Sequence, residues 1–132
     1  MINGFHLIEL LITIFIISIL ATISSPLYTQ YLTQARRLEA ATVLSKLAIA
    51  MEHYYIEHNT YQGATLATLH FPNHIGKNHY QLNIQSIVDD DFLIIATPLA
   101  AQSKNDPLCG SLMLKANGEK NITGSGQIDE CW

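Results

Sequence analysis

Between Glu9 and Arg36 the 132-residue chain carries no charged side chain, and between Phe5 and Gln62 it has no glycine and a single proline, Pro26. The first third is therefore too apolar for an ordinary soluble core, and it holds no loop signal. Basic residues are scarce: seven against eleven acids, a net charge of -4. That balance argues against a general nucleic-acid binder, which carries a basic patch. No serine sits in a nucleophile elbow and no glycine-rich loop could cradle a phosphate, so nothing suggests catalysis and no cofactor is expected. Cysteine is limited to Cys109 and Cys131, both within the last 24 residues. A close pair at the end of an exported chain suggests a disulfide. Free thiols or half a metal site are the alternatives, but zinc needs two more ligands and the six histidines offer none at finger-like spacing.

What is present begins with residues 5–23, an apolar run interrupted by one acid. Nineteen helical residues span about 28 Å, close to the hydrocarbon thickness of a bilayer. The uncharged stretch is longer than the apolar region of a secretory signal, and Ala21, Ser24 and Ser25 make a poor cleavage site. Met1 to Gly4 also lack the basic side chain that such signals carry. A retained membrane helix fits better. Glu9 lies one turn inside it, where an ionised acid costs about 2.5–3.5 kcal/mol at mid-helix depth. It either lies shallow, at headgroup depth, or awaits a positive partner. Cleavage after Gly4 would give Phe5 a free amine four residues from that carboxylate.

The run Gly4-Phe5-His6-Leu7-Ile8-Glu9-Leu10 resembles the type IV prepilin signal: a short leader ending in glycine, then Phe, then Glu, then apolar residues. Pro26 and Tyr28 fall where type IV pilins also carry Pro and Tyr. The resemblance implies cleavage after Gly4, N-methylation of Phe5 and insertion with the N-terminus cytoplasmic. Family leaders usually carry Lys or Arg before the glycine, where this chain has Asn3. Arg36 and Arg37 beyond the helix oppose the positive-inside trend, so orientation rests on the motif.

After Pro26 the apolar positions narrow to one face. Ala40, Val43, Leu44, Leu47, Met51, Tyr54 and Tyr55 recur at spacings of three and four, with Arg36, Glu39, Lys46, Glu52 and His53 opposite. One long helix is expected, bent at Pro26 and stopping near His58 with Asn59 in a left-handed turn. Residues 59–79 read as a connecting loop. Strands are expected over 80–85 by alternation, over 92–96 ending before Pro98, and over 112–115, with Asn117-Gly118 a hairpin signal.

The fold class is α+β: a long bent N-terminal helix, hydrophobic in its first half, packed on a small antiparallel sheet with a C-terminal disulfide loop. Residues 1–4 form the leader, 5–26 the membrane or filament-core half of the helix, 27–58 its amphipathic half and 59–132 the head. Ala96-Thr97-Pro98, residues 106–112 and the final Glu130-Cys131-Trp132 resemble the C-terminal pattern of PilE-like pilins.

Rival constellations are weak. His70 and His74 stand four apart, but Pro72 between them argues against one helical face for a metal. Asp89, Asp90 and Asp91 read as a solvated turn rather than a calcium site, and Asn121-Ile122-Thr123 matches a glycosylation pattern that arises readily by chance. The resemblance implies a subunit of a type IV pilus-like filament, major or minor, stored in the inner membrane and then displayed outside the cell. Its partners would be other pilin subunits, a prepilin peptidase and methylase, and the inner-membrane assembly machinery. Glu9 would set register through a neighbour's Phe5 amine. One alternative is a DNA-binding minor pilin, for which Lys77, Lys104, Lys115 and Lys120 face seven acids in the head. The other is a secretion-system pseudopilin, which the cysteine pair and terminal Trp132 disfavour.

Overall fold

The computed structural model describes residues 6–88 and 90–132. Helix α1, Leu7–His58, runs through Pro26, whose ring removes one backbone bond without ending the helix. Asn59 then adopts φ 56° and its N–H bonds the Tyr55 carbonyl, so the expected left-handed stop is present. By contact density the chain divides into two units, one ending at Leu32 and one running over Thr33–Trp132.

The second unit holds the core. Strands β1 (His74–Ile75), β2 (Tyr80–Val88), β3 (Asp91–Pro98), β4 (Leu112–Lys115) and β5 (Lys120–Ile122) form one antiparallel sheet in sequence order. Period-two alternation turns Phe92, Ile94 and Ala96 of β3 inward with Tyr80 and Leu82 of β2 and Leu112 and Leu114 of β4. Against them α1 buries Ala40, Ala41, Leu44, Leu47 and Met51, the row its helical spacing places on one face. A register shift between Ile84 and Ser86 in β2 is a bulge, which lets the strand run past the point where its simple alternation stops.

Several boundaries differ from the sequence expectation. β2 extends to Val88 rather than residue 85, and β3 takes in Pro98 instead of stopping short of it. Pro98 is the last residue of that strand, paired with Tyr80, where a missing N–H costs at most one ladder bond. The segment 59–79 is not all loop, since β1 lies within it. Two short helices, α2 (Ala100–Asn105) and α3 (Ile128–Cys131), were not expected, being too short for a periodic signal. β5 completes the hairpin that Asn117-Gly118 announces: Gly118 has φ 81° and its N–H bonds the Lys115 carbonyl.

Candidate assembly surface

The stretch of α1 from Leu7 to Tyr31 is exposed along its whole length, its apolar side chains included. By length and composition this helix could cross a membrane. Five of its hydroxyls are bonded within the helix. Thr13, Ser18, Thr22, Ser24 and Thr29 each donate to a carbonyl three or four residues earlier, at 2.7–3.4 Å. A hydroxyl whose proton is bonded to its own helix enters hydrocarbon or a helix bundle at a lower cost than one with an unpaired donor.

Glu9 is the single acid in that surface, and its backbone N–H bonds the His6 carbonyl in the opening turn of α1. Ion pairs among the described residues join Arg37 to Asp106, His53 to Glu57 and Lys115 to Glu119, leaving Glu9 outside them. Gly4 and Phe5, the expected cleavage and methylation positions, lie outside the described residues, as does Asp89 of the acidic run. Asp90 accepts a hydrogen bond from the Tyr55 hydroxyl at 2.9 Å, and Asp91 from the Phe92 N–H. His70 and His74 fall in a turn and in β1, and no three metal-ligating side chains converge among the described residues.

The C-terminal segment is fastened at several points. Cys109 and Cys131 form a disulfide with Cα atoms 5.6 Å apart, closing 22 positions of chain. Inside that loop the backbone of 124–126 lies against 108–109: Gly124 N–H bonds the Cys109 carbonyl and Gly126 N–H the Leu108 carbonyl. Gly124 approaches so closely that a Cβ there would overlap the Leu108 carbonyl. The Trp132 indole N–H donates to the Asn121 carbonyl at 3.1 Å, covering the outer edge of β5, and Lys120 lies over the indole ring.

A buried polar clamp ties this region to α1, and sequence reasoning missed it. Arg37 donates to Asp106 at 2.6 Å, both side chains being largely buried, and also reaches the Glu130 carbonyl. The fully buried Gln102 amide donates to the Thr33 carbonyl and the Tyr80 hydroxyl, with Asp106 at 3.4 Å. Burial, opposed by the Gln102 hydrogen bond, pushes the Tyr80 hydroxyl up to about 12. At the other end of the helix the Tyr61 hydroxyl donates to Glu52, while its ring meets Phe92 edge-on; burial first, then Glu52, raises its pKa.

Comparison with known proteins agrees with this geometry. Residues 26–113 match the family model described as type IV minor pilin ComP, DNA uptake sequence receptor. The type IV major pilin protein PilE1 of Neisseria gonorrhoeae is 30% identical over 118 residues, 89% of this chain and 70% of that protein. A fimbrial protein of Neisseria meningitidis serogroup B is 38% identical over 61 residues, 46% of this chain but only 36% of that protein's length. Among solved structures, the non-core minor pilin PilV of Neisseria meningitidis superposes with a TM-score of 0.58 at 21% identity, over 74% of this chain and 93% of that one. A type IV pilin from Shewanella oneidensis gives a TM-score of 0.57 at 25% identity, over 76% and 97%. The family match over residues 26–113, with 30% identity to PilE1 across most of both chains, places the chain in the type IV pilin family, as a structural subunit that assembles with other pilins into a pilus filament.

Proposed function

We propose that the chain is made as a prepilin, cut after Gly4 by a prepilin peptidase, methylated on Phe5 and held in the inner membrane by one pass of α1. Assembly machinery in that membrane then transfers it into an extracellular filament, and the chain carries out no catalysis of its own. Residues 1–4 serve as leader, 5–26 as membrane and filament-core helix, 27–58 as the helix under the head and 59–132 as the head. The observation that carries this reading is the exposed, largely apolar surface of residues 7–31, whose single charged side chain is Glu9. In lipid that carboxylate is costly; in a bundle it can meet the Phe5 amine of an adjacent subunit. Desolvation offsets much of the attraction, so the pair contributes more to register than to net energy. Glu9→Val should leave insertion and cleavage intact while lowering the amount recovered in sheared filaments about ten-fold or more, since the steering charge is lost. Undiminished incorporation would refute the steering role.

A second reading is favoured by the match to the DNA uptake receptor model: the displayed head captures DNA. After residue 59 the head has four lysines against seven acids, so binding would depend on a local cluster. Full-length chain in detergent should then bind duplex DNA with an affinity that falls steeply with salt. A flat response to salt, or no binding by chain that assembles normally, would remove this reading.

A further inference from the structure

Thr33 opens the second unit, and cations gather at the end where α1 enters it. Arg36 lies in the first turn there, half-buried. The turn between β1 and β2 brings Lys77 and His79 to the same flank of the helix. A Cβ placed on Gly76 would stand 3.0 Å from the His79 ring and 3.2 Å from a Glu39 carboxylate oxygen. Burial first, then Arg36, pulls the His79 pKa below its ordinary value; Glu39 opposes the fall and Lys77 adds to it. At that imidazole the two cations outweigh the acid.

Helix α2 closes the same end. The Leu99 N–H bonds the His79 carbonyl and the Gln102 amide bonds the Thr33 carbonyl, so α2 crosses α1 where the unit begins. Its last turn carries the exposed Lys104. Asp106 is already held by Arg37, and α3 with Asp129 and Glu130 lies beside Arg37 on a flank about 100° round the helix from Arg36. Among the described residues this leaves Glu39 against Arg36, Lys77 and Lys104, and Glu39 stands about 4.5 Å further along α1 than Arg36. The excess is cationic, and its complement is phosphate.

The length of α1 says where that phosphate is. Roughly 40 Å of helix separates Glu9 from Arg36, the thickness of a bilayer with its headgroups. With Glu9 in one headgroup layer, Arg36 reaches the other. Tyr28 and Tyr31, both exposed, come within about 12 Å before Arg36 on the helix, and tyrosine is a residue that settles at a membrane–water boundary. Helical side chains also tilt toward the N-terminus, which aims the long Arg36 side chain back at that layer.

We propose that, while the chain is stored in the membrane, Arg36, Lys77 and Lys104 bind the phosphates of anionic phospholipid in the leaflet on the head's side. The inference rests on the membrane-storage reading proposed above. Arg36 can grip a phosphate through two parallel hydrogen bonds, while the lysines act as point charges. The contact is lost when the helix leaves lipid, so it steadies the stored subunit and contributes nothing to a finished filament.

The test uses full-length chain in phosphatidylcholine vesicles with about 30% phosphatidylglycerol, an anionic lipid that attracts basic residues next to a membrane helix. A photoreactive phenylalanine analogue replaces the exposed Ser103 of α2 or, as a control, the exposed Gln62 beyond the far end of α1. After irradiation, mass mapping should find phosphatidylglycerol joined to position 103 in excess of its share of the lipid, and no lipid at position 62. Lys77→Glu with Lys104→Glu, both exposed positions, should lower that adduct about ten-fold or more, and Arg36→Lys should keep most of it. Omitting phosphatidylglycerol should do the same to the unaltered chain, whatever the variants do to folding. Equal lipid adducts at 62 and 103, or a yield indifferent to both charge reversal and lipid charge, would overturn the contact. So would added duplex DNA that takes the adduct in place of lipid, which would assign the cations to nucleic acid. An inserted chain with no adduct at 103 would overturn the headgroup contact alone, whereas a chain that alkaline carbonate strips from the vesicles would overturn membrane storage itself.

Discussion

Arg37 shows how a residue's place in the sequence can hide its work. As a sequence feature it is one of two arginines that merely follow an apolar helix. In the fold its guanidinium holds Asp106, 69 positions away, and caps the Glu130 carbonyl. Removing one partner of a mostly buried ion pair leaves the other charge uncompensated, so Arg37→Ala should destabilise the chain by about 3–5 kcal/mol. Asp106→Asn, which keeps the shape and one acceptor, should cost less, about 1–3 kcal/mol. Urea unfolding of the full chain in detergent would compare them, and equal, small losses would contradict the clamp. Neither this pair nor Gln102 was legible, because long-range partners leave no spacing in the sequence. The Cys109–Cys131 disulfide was legible, since the two cysteines stand alone and close together near the end of the sequence.

Tyr80 belongs to the same clamp and gives the head an alkaline limit. Its buried hydroxyl is held neutral, with a pKa pushed up to about 12 from an ordinary value of 10.0. A raised acid pKa means that folding favours the protonated form. Its contribution is therefore complete below pH 10 and is lost as pH rises through about 12. Tyrosinate absorbance and far-ultraviolet dichroism, followed together, should show this phenol ionising only as the head unfolds. Ionisation of every tyrosine with the fold retained would contradict its burial.

At the scale of elements, the C-terminal segment depends on constraint rather than on a core of its own. The disulfide closes a loop whose described inner contacts are mostly backbone to backbone, so reducing it should cost about 2–5 kcal/mol and free residues 118–132 first. Hydrogen exchange before and after reduction would read this directly; uniform protection would oppose it. Gly124→Ala should mimic part of the effect with the disulfide intact, because the added methyl displaces the Leu108 carbonyl. The helix and the three central strands could be read from periodicity, since each turns one regular row of side chains to the core. α2, α3 and β1 could not: with six, four and two residues they hold fewer than two periods each, too few for a repeating pattern to show.

For the whole molecule, the described residues separate two tasks. The unit from Thr33 onward buries a single core between helix and sheet. The apolar residues 7–31 are exposed in the single chain and gain from burial only in lipid or among other helices. Exchange between those two environments is what a filament subunit stored in a membrane requires. The processed N-terminus is the direct mark of that route. Mass spectrometry of the chain recovered from sheared surface filaments should find a mature N-terminus at Phe5 carrying one added methyl group. A chain absent from filaments, or one that begins near Ser24 as after removal of a secretory signal, would contradict the account.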